Sequence, residues 1–476
     1  MSTIETISPT TNKVICERPE TTLDEARDIA RRSKDAFQSY RKLPLAERRA
    51  IVTKALAIIQ ERKMELGREL TEQIGRPVAF SHKEIETMQK RAYYLLEIAE
   101  ESLASLPGRI KEAGFKREIK KIPVGPTLIV FAWNFPYLII VNALVPALLA
   151  GNSVILKPSP QVPLVGERIA EIFTTAGLPK DVLQVIQSGN PATLKEIVKL
   201  PELGLVSFTG STAGGLAIRE AVADSTVPVN LELGGNDPAY VRPDADLAYV
   251  AEQLVDGAVF NSGQSCCAVE RIYVHADVHD QFVKALQDEL KKYTLGDPFD
   301  TKTMVGPVIS RAAEKTINAQ ISEALIKGAV NSTPENKSFT SASKDGNFVA
   351  PILLTNVTHD MDVMREETFG PVIPVAKVKD DDEAVRLMND TEYGLTASVW
   401  TKDIARGEEL IELLEAGTVF VNRCDYPNPV SGQTLSRDSI NYYFTWLMNI
   451  NCIIIGSCMD RLEKVWLGLH IRATRV

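Results

Sequence analysis

Cysteine is scarce in this chain: six residues in 476, at Cys16, Cys266, Cys267, Cys424, Cys452 and Cys458. No C-x-x-C pair or Cys/His cluster has zinc-ligand spacing, so a metal site is not expected. The five histidines, His82, His275, His279, His359 and His470, form no metal motif either. A basic excess is also missing. Lys and Arg number 53 against 62 Asp and Glu, for a net charge of −9. That balance argues against a general nucleic-acid binder, whose footprint is basic, but leaves room for a small phosphate pocket. The opening segment, Met1 to Cys16, lacks both the apolar run of a secretory signal and the Arg-rich amphipathic pattern of a mitochondrial leader. The cytoplasm is the expected location, and in a reducing compartment an exposed thiol is more often chemical than structural.

What is present is an ordinary globular composition, 45% hydrophobic and 24% charged. At roughly 150 residues per domain, the length suits two or three domains. The first hundred residues read as helical. Thr22 and Glu25 have capping-box spacing, and a long helix after Pro44 is stopped by Gly75 and Pro77. Near residue 115 the pattern changes. Lys116 to Ile122 alternates as a half-buried strand. Thr127 to Ala132 is a continuous apolar run, followed by a helix from about Ile139 to Leu149 and a strand at Ser153 to Leu156. Strand, helix and strand in this order predict a parallel sheet. A second α/β unit begins near Pro238, with a helix from Leu247 to Phe260 and strands at Arg271 to Val274, Phe348 to Leu354, Val372 to Val378, Ala397 to Trp400 and Thr418 to Asn422. The polar stretch from Asn331 to Asn347 reads as a surface loop.

Four segments could carry chemistry. Phe208 to Gly215 runs from a buried strand through a glycine turn into a helix. Free N–H groups at such a helix start suit a pyrophosphate, though an ordinary strand–helix turn has the same appearance. Asn261-Ser262-Gly263-Gln264-Ser265-Cys266-Cys267 reads as a loop. Its thiols are either small buried groups or an accessible nucleophile. Glu232 ends an apolar strand beside Gly234 and Gly235, as a cap or as a general base for water. Asn134 breaks the chain after another buried strand, as a turn residue or as a donor to an oxyanion.

In combination and order these segments resemble the aldehyde dehydrogenase superfamily. The matching pieces are Trp133-Asn134-Phe135-Pro136, Leu156-Lys157-Pro158, Phe208-Thr209-Gly210-Ser211, Glu232-Leu233-Gly234-Gly235, Gly263-Gln264-Ser265-Cys266, Glu366 to Val372 and Tyr393-Gly394-Leu395. The resemblance runs from the N-terminus to about Val430. It implies an α/β fold with a Rossmann-like parallel-sheet cofactor domain (1–104 and 124–236), a second α/β catalytic domain (237–430) and a small β oligomerisation flap built on a hairpin (105–123). It implies oxidation of an aldehyde to its acid with hydride transfer to NAD or NADP. Cys266 matches the nucleophile, Glu232 the general base and Asn134 the oxyanion donor. Lys157 matches the lysine at the adenosine ribose, and Gly210, Ser211 and Gly215 the pyrophosphate turn. Glu367 matches the carboxylate on the nicotinamide ribose, with Phe369 and Trp133 beside it. The family implies a homo-oligomer and a small aldehyde as substrate, with neither nucleic acid nor membrane as partner.

The chain departs from the family pattern at several positions. Pro160 stands where NAD-preferring members often carry a Glu, which leaves the choice between NAD and NADP open. Asn142, after Leu138, Ile139, Ile140 and Val141, stands where the succinic-semialdehyde branch has an Arg, which favours an apolar aldehyde. Asn236 replaces a customary Lys. Residues 431–476 read as a divergent tail, which leaves the terminal strand of the flap in doubt. A splicing error, a genuine divergence and a membrane anchor are the alternatives there. The run Tyr442 to Met459 barely reaches spanning length, and Asn449 and Asn451 are costly in lipid. A non-catalytic or impaired homologue is the alternative function, and a hydrolase using the same Cys and Glu is another.

Overall fold

The structure is a computed structural model that describes residues 2–107, 118–340, 343, 345–424 and 452–455. Seventeen strands are described. The hairpin β1 (Thr3–Ile7) and β2 (Val14–Pro19) comes first, then β3 (Leu106–Pro107) and β4 (Glu118–Pro123). Strands β5 (Thr127–Phe131), β6 (Val154–Pro158), β7 (Leu183–Val185), β8 (Leu205–Thr209) and β9 (Val229–Glu232) form a five-stranded sheet in the order β7-β6-β5-β8-β9. All its pairings are parallel. Strands β10 (Asp237–Val241), β11 (Val269–His275), β12 (Val330–Asn331), β13 (Ile352–Thr355), β14 (Val372–Val378), β15 (Thr396–Trp400) and β16 (Thr418–Val421) form a second sheet in the order β12-β13-β14-β11-β10-β15-β16. Only its edge pair β12–β13 is antiparallel. Strand β17 (Cys452–Ile455) pairs antiparallel with β4. The expected α/β class and parallel sheets are therefore present. The remainder of the expected tail, 431–476, and the centre of the 105–123 hairpin lie outside the described residues.

Continuous apolar runs become strands here because both faces are covered. All five residues of β5 are buried. Ile129 and Phe131 face a core made with the helices Leu45–Ile74, Pro136–Ala150 and Pro163–Thr175. Leu128 and Val130 face the opposite core with Ala26, Ala30, Ile197 and Ile218. The second sheet divides in the same period of two. Ala239, Val241, Ile272 and Val274 lie on one side, and Tyr240 and Tyr273 on the other.

Local signals set the helix ends. Thr22 and Glu25 form the expected capping box at the helix Leu23–Tyr40. The helix Leu45–Ile74 ends where Gly75 turns left-handed, with φ 76°, and donates its N–H to Thr71. The helix expected from Ile139 starts earlier, at Pro136, because proline in the first turn sacrifices no intrahelical bond. One expectation fails: the first twenty residues are a β hairpin, not a helix. Ile4 and Thr6 point inward and Thr3 and Glu5 outward, and Asn12 takes the left-handed turn at φ 54°. Thr6 ties the hairpin to the loop after β6 through the Pro160 carbonyl at 2.9 Å. The stretch expected as a loop after Asn331 holds one short helix, Lys337–Thr340.

One long helix shows what this burial contributes. Leu56 is 1% exposed and Met64 58% exposed on the same helix Leu45–Ile74. Leu56→Ala is expected to lower unfolding free energy by about 2–5 kcal/mol and Met64→Ala by no more than about 0.5 kcal/mol. Urea denaturation of the two variants checks this, and equal midpoints would contradict it.

Candidate functional site

The C-terminal ends of the parallel strands β5, β6, β8 and β9 are level with one another. Val130 pairs with both Lys157 and Phe208, and Thr209 pairs with Glu232. Ligands of open parallel sheets bind in the crevice beyond these ends. Trp133, Asn134, Lys157, Gly210, Ser211 and Glu232 all stand there, at a strand end or in the loop that follows.

In this row, the turn after β8 enters the helix Thr212–Ala221. Ser211 caps it by accepting the Gly214 N–H at 3.2 Å. A side chain at Gly210 would meet the Phe208 ring at 2.8 Å, and one at Gly215 would strike Leu233. The glycines thus let the turn lie close against the strands, with first-turn N–H groups directed beyond them. Lys157 is buried at the end of β6. Burial lowers its ammonium to about 8, opposed by the charge of Glu20. Glu20 lies just beyond the unforeseen hairpin and accepts N–H groups from Gly189 and Asn190 at 2.9 and 2.8 Å.

The loop that follows the helix Leu247–Val259 reaches this row of strand ends. Asn261, Ser262 and Gly263 are all left-handed, with φ 53°, 59° and 73°. A side chain at Gly263 would collide with the Gly370 carbonyl. Ser262 donates to the Gly306 carbonyl at 2.9 Å, and Gln264 accepts the Ile309 N–H at 2.7 Å. Asn134, 5% exposed, donates its side-chain Nδ2 to the Gln264 carbonyl at 3.2 Å, two residues before Cys266. Cys266 and Cys267 are both partly exposed, with their Sγ atoms 3.8 Å apart.

The Glu232–Gly235 segment and Glu367 join this loop. A side chain at Gly235 would stand 2.5 Å from the Cys266 carbonyl, and one at Gly234 would strike the Glu367 carboxylate. Gly235 donates its N–H to Glu367 at 3.1 Å. Phe369, left-handed at φ 50°, sets its ring edge-on to Trp133, centroids 5.8 Å apart. Asn134, Cys266, Glu367, Phe369 and Trp133 are thus brought together across the two sheets. Lys157 and the Gly210–Gly215 turn stand at the ends of β6 and β8, the two neighbours of β5.

Several neighbours had no signal in the sequence. Glu270 on β11 accepts the Thr368 and Phe369 N–H groups at 2.7 and 2.8 Å. Burial and the nearby Glu367 charge hold it well above the usual carboxylate range. Burial also raises Glu367, and it pushes Asp237 up to about 7 against hydrogen bonds from Thr396. Arg76 and Glu84 form a buried ion pair behind Asn134. On the helix Pro136–Ala150 twelve residues are buried, and Leu138, Ile139 and Asn142 form its one partly exposed face. Arg91 donates to Asn142 at 3.0 Å, so a cation does approach the position that the sequence left neutral. Asn236 is buried, and its side-chain amide has no partner among the described residues. No cluster of His, Cys, Asp and Glu among the described residues suits a metal, and no described helix is long and apolar enough to cross a membrane.

Comparison with known proteins is consistent with this geometry. The Aldehyde dehydrogenase family model matches residues 1–437. The 3,6-anhydro-alpha-L-galactose dehydrogenase of Streptomyces coelicolor is 33% identical over 430 residues, 90% of this chain and 87% of that protein. The NADP(+) succinate-semialdehyde dehydrogenase of Escherichia coli is 32% identical over 463 residues, 95% of this chain and 94% of that protein. Among solved structures, an NAD-dependent aldehyde dehydrogenase from Sinorhizobium meliloti superposes with TM-score 0.85 at 30% identity, covering 90% of this chain and 85% of its own. An NADP-dependent enzyme of E. coli superposes with TM-score 0.87 at 29% identity, covering 95% and 94%. The chain belongs to the aldehyde dehydrogenase family, enzymes that oxidise aldehydes with NAD or NADP.

Proposed function

We propose that Cys266 is the nucleophile, Asn134 the oxyanion donor and Glu232 the general base of this aldehyde oxidation. The observation that carries the reading is the Asn134 bond to the Gln264 carbonyl. It uses one amide hydrogen to aim the side chain at the Cys266 loop, and the second hydrogen serves the substrate oxygen. Cys266 adds as the thiolate, its proton already lost to solvent: the Sγ bonds to the aldehyde carbon as the carbonyl π pair moves to oxygen, and Asn134 holds the resulting oxyanion. A bound nicotinamide cofactor supplies the acceptor for the hydride. The acyl group is then a thioester on Cys266. Glu232 takes a proton from water, the hydroxide adds to the acyl carbon, and the S–C bond breaks to release the acid. Cys267 is a neighbour of the nucleophile and takes no part.

Lys157 and the turn of Gly210, Ser211 and Gly215 would hold the adenosine and pyrophosphate. Glu367, Phe369 and Trp133 would hold the nicotinamide end. The division into 1–104 with 124–236, and 237–430, follows the split of the buried cores. The hairpin 105–123 would be the oligomerisation flap of a homo-oligomer. A cytoplasmic location suits a cysteine such as Cys266 that is not joined in a disulfide.

Leu138 and Ile139, on the exposed face one turn after Asn134, favour an apolar aldehyde. A second reading has a specific observation behind it. The Arg91–Asn142 contact places a cation on the same face, which suits an aldehyde with a remote carboxylate or hydroxyl. Initial rates of nicotinamide reduction with a medium-chain alkanal, lactaldehyde and succinic semialdehyde, each with NAD and NADP, separate them. The first reading expects the alkanal to have the highest kcat/KM, and a large excess for succinic semialdehyde would overturn it.

Lys157 makes the cofactor step pH-dependent. Burial lowers the lysine, so its charge is present below about 8 and is lost as pH rises through that value. The dissociation constant of NADP, measured by fluorescence titration, is expected to rise between neutral pH and pH 9, and Lys157→Met is expected to flatten that rise. An equally steep profile in the variant would contradict the assignment.

A further inference from the structure

We propose that Arg76 is a positioning residue that sets the oxyanion donor Asn134 against the nucleophile loop. The proposal rests on the reading of Asn134 given above. Arg76 is 2% exposed and sits just after the left-handed stop of the helix Leu45–Ile74, far from any reacting atom in sequence.

Its guanidinium divides three ways. Nε donates to the Asn261 side chain at 3.0 Å. One terminal nitrogen donates to Glu84, and the other donates to the backbone carbonyl of Asn134. The Phe135 ring lies under the same cation, 4.3 Å from its central carbon, and stacks in turn on Phe260, with centroids 6.2 Å apart. Asn261 returns to the same atoms. Its side-chain Nδ2 donates to the Asn134 carbonyl at 3.3 Å and to the Gln264 carbonyl at 3.2 Å. The Gln264 carbonyl is also the acceptor that aims the Asn134 amide. Arg76, Asn134, Gln264 and Asn261 therefore close a ring of hydrogen bonds.

Glu84 holds the other side of Asn134. It accepts the Tyr137 and Leu138 N–H groups at 2.8 and 3.2 Å, the first turn of the helix that Asn134 precedes. The ion pair thus grips Asn134-Phe135-Pro136 from both ends. Arg76 fixes the carbonyl before the turn, and Glu84 fixes the helix start after it. A planar fork presents its donors to the three acceptors in fixed directions. A lysine at this position carries its three donors on a single nitrogen and does not reproduce that geometry.

A purely structural arginine would affect folding and leave the chemistry of the folded fraction unchanged. A positioning arginine acts on kcat through Asn134. The test uses the full chain as wild type, Arg76→Lys, Asn134→Ala and the double variant. It measures kcat, KM for aldehyde and cofactor, and thermal midpoint. Asn134→Ala is expected to lower kcat about 10²–10³-fold. Arg76→Lys is expected to lower it on the order of tenfold to a hundredfold, with cofactor KM changed no more than about twofold. The two losses should not multiply. The double variant should fall short of their product by about tenfold, the mark of residues acting as a unit. Asn261→Ala removes one Arg76 acceptor while keeping the ion pair, and should show the same kcat pattern if Arg76→Lys is poorly folded. Wild-type kcat in both Arg76→Lys and Asn261→Ala, or losses that multiply with that of Asn134→Ala, would overturn the proposal while leaving the oxyanion reading intact. Unchanged kcat in Asn134→Ala would remove the oxyanion reading and this proposal together.

Discussion

Three consecutive left-handed residues, Asn261, Ser262 and Gly263, are the constraint on which the rest of the site depends. For the two that carry a Cβ, this conformation costs about 1–3 kcal/mol each and persists only where the surroundings impose it. Here they do. Arg76 holds the Asn261 side chain, the Gly306 carbonyl holds Ser262, and the Gly370 backbone leaves no room for anything but glycine at 263. The outcome is a reversal that brings the Cys266 loop, which precedes β11 of the second sheet, against the strand ends of the first sheet. Asn134 and Gly235 then meet it from the other side, and Glu367 holds the Gly235 N–H.

The electrostatics of that meeting follow from burial. Asp237, Glu270 and Glu367 lie within one another's influence, and burial raises all three. Each is tied to backbone N–H groups of a neighbouring segment: Thr396 for Asp237, Thr368 and Phe369 for Glu270, and Gly235 for Glu367. Carboxylates are used here less for charge than as fixed acceptors that pin loops from three directions. Lys157, at the end of β6, is a buried cation, and the same burial lowers its ammonium to about 8.

Much of this was legible in the chain. Apolar runs such as Thr127 to Phe131 read as buried strands because their length and flanking breaks leave little else. The Thr22–Glu25 box and Gly75 act within a single turn of backbone, so the sequence displays them directly. The family motifs at Asn134, Glu232, Cys266 and Glu367 made the candidate site visible through resemblance. The supporting contacts were not visible. Arg76 meets partners 58 and 185 residues away, and nothing local to an arginine after a glycine indicates either. The N-terminal hairpin was not visible because what ties it down is distant in sequence: Thr6 donates to the Pro160 carbonyl, 154 residues away. The cation beside Asn142 comes from a different helix, so a reading of positions along one helix left it out.

The central claim is that Cys266, and not its neighbour Cys267, carries the acyl group. Glu232→Gln should slow thioester hydrolysis more than its formation. Mixing that variant with aldehyde and cofactor, quenching in acid and mapping the peptides by mass spectrometry locates the acyl group. The acyl mass is expected on Cys266, with about one reduced nicotinamide formed per acylated chain in the first turnover. An acyl mass on Cys267, or nicotinamide reduction with neither cysteine modified, would contradict the account.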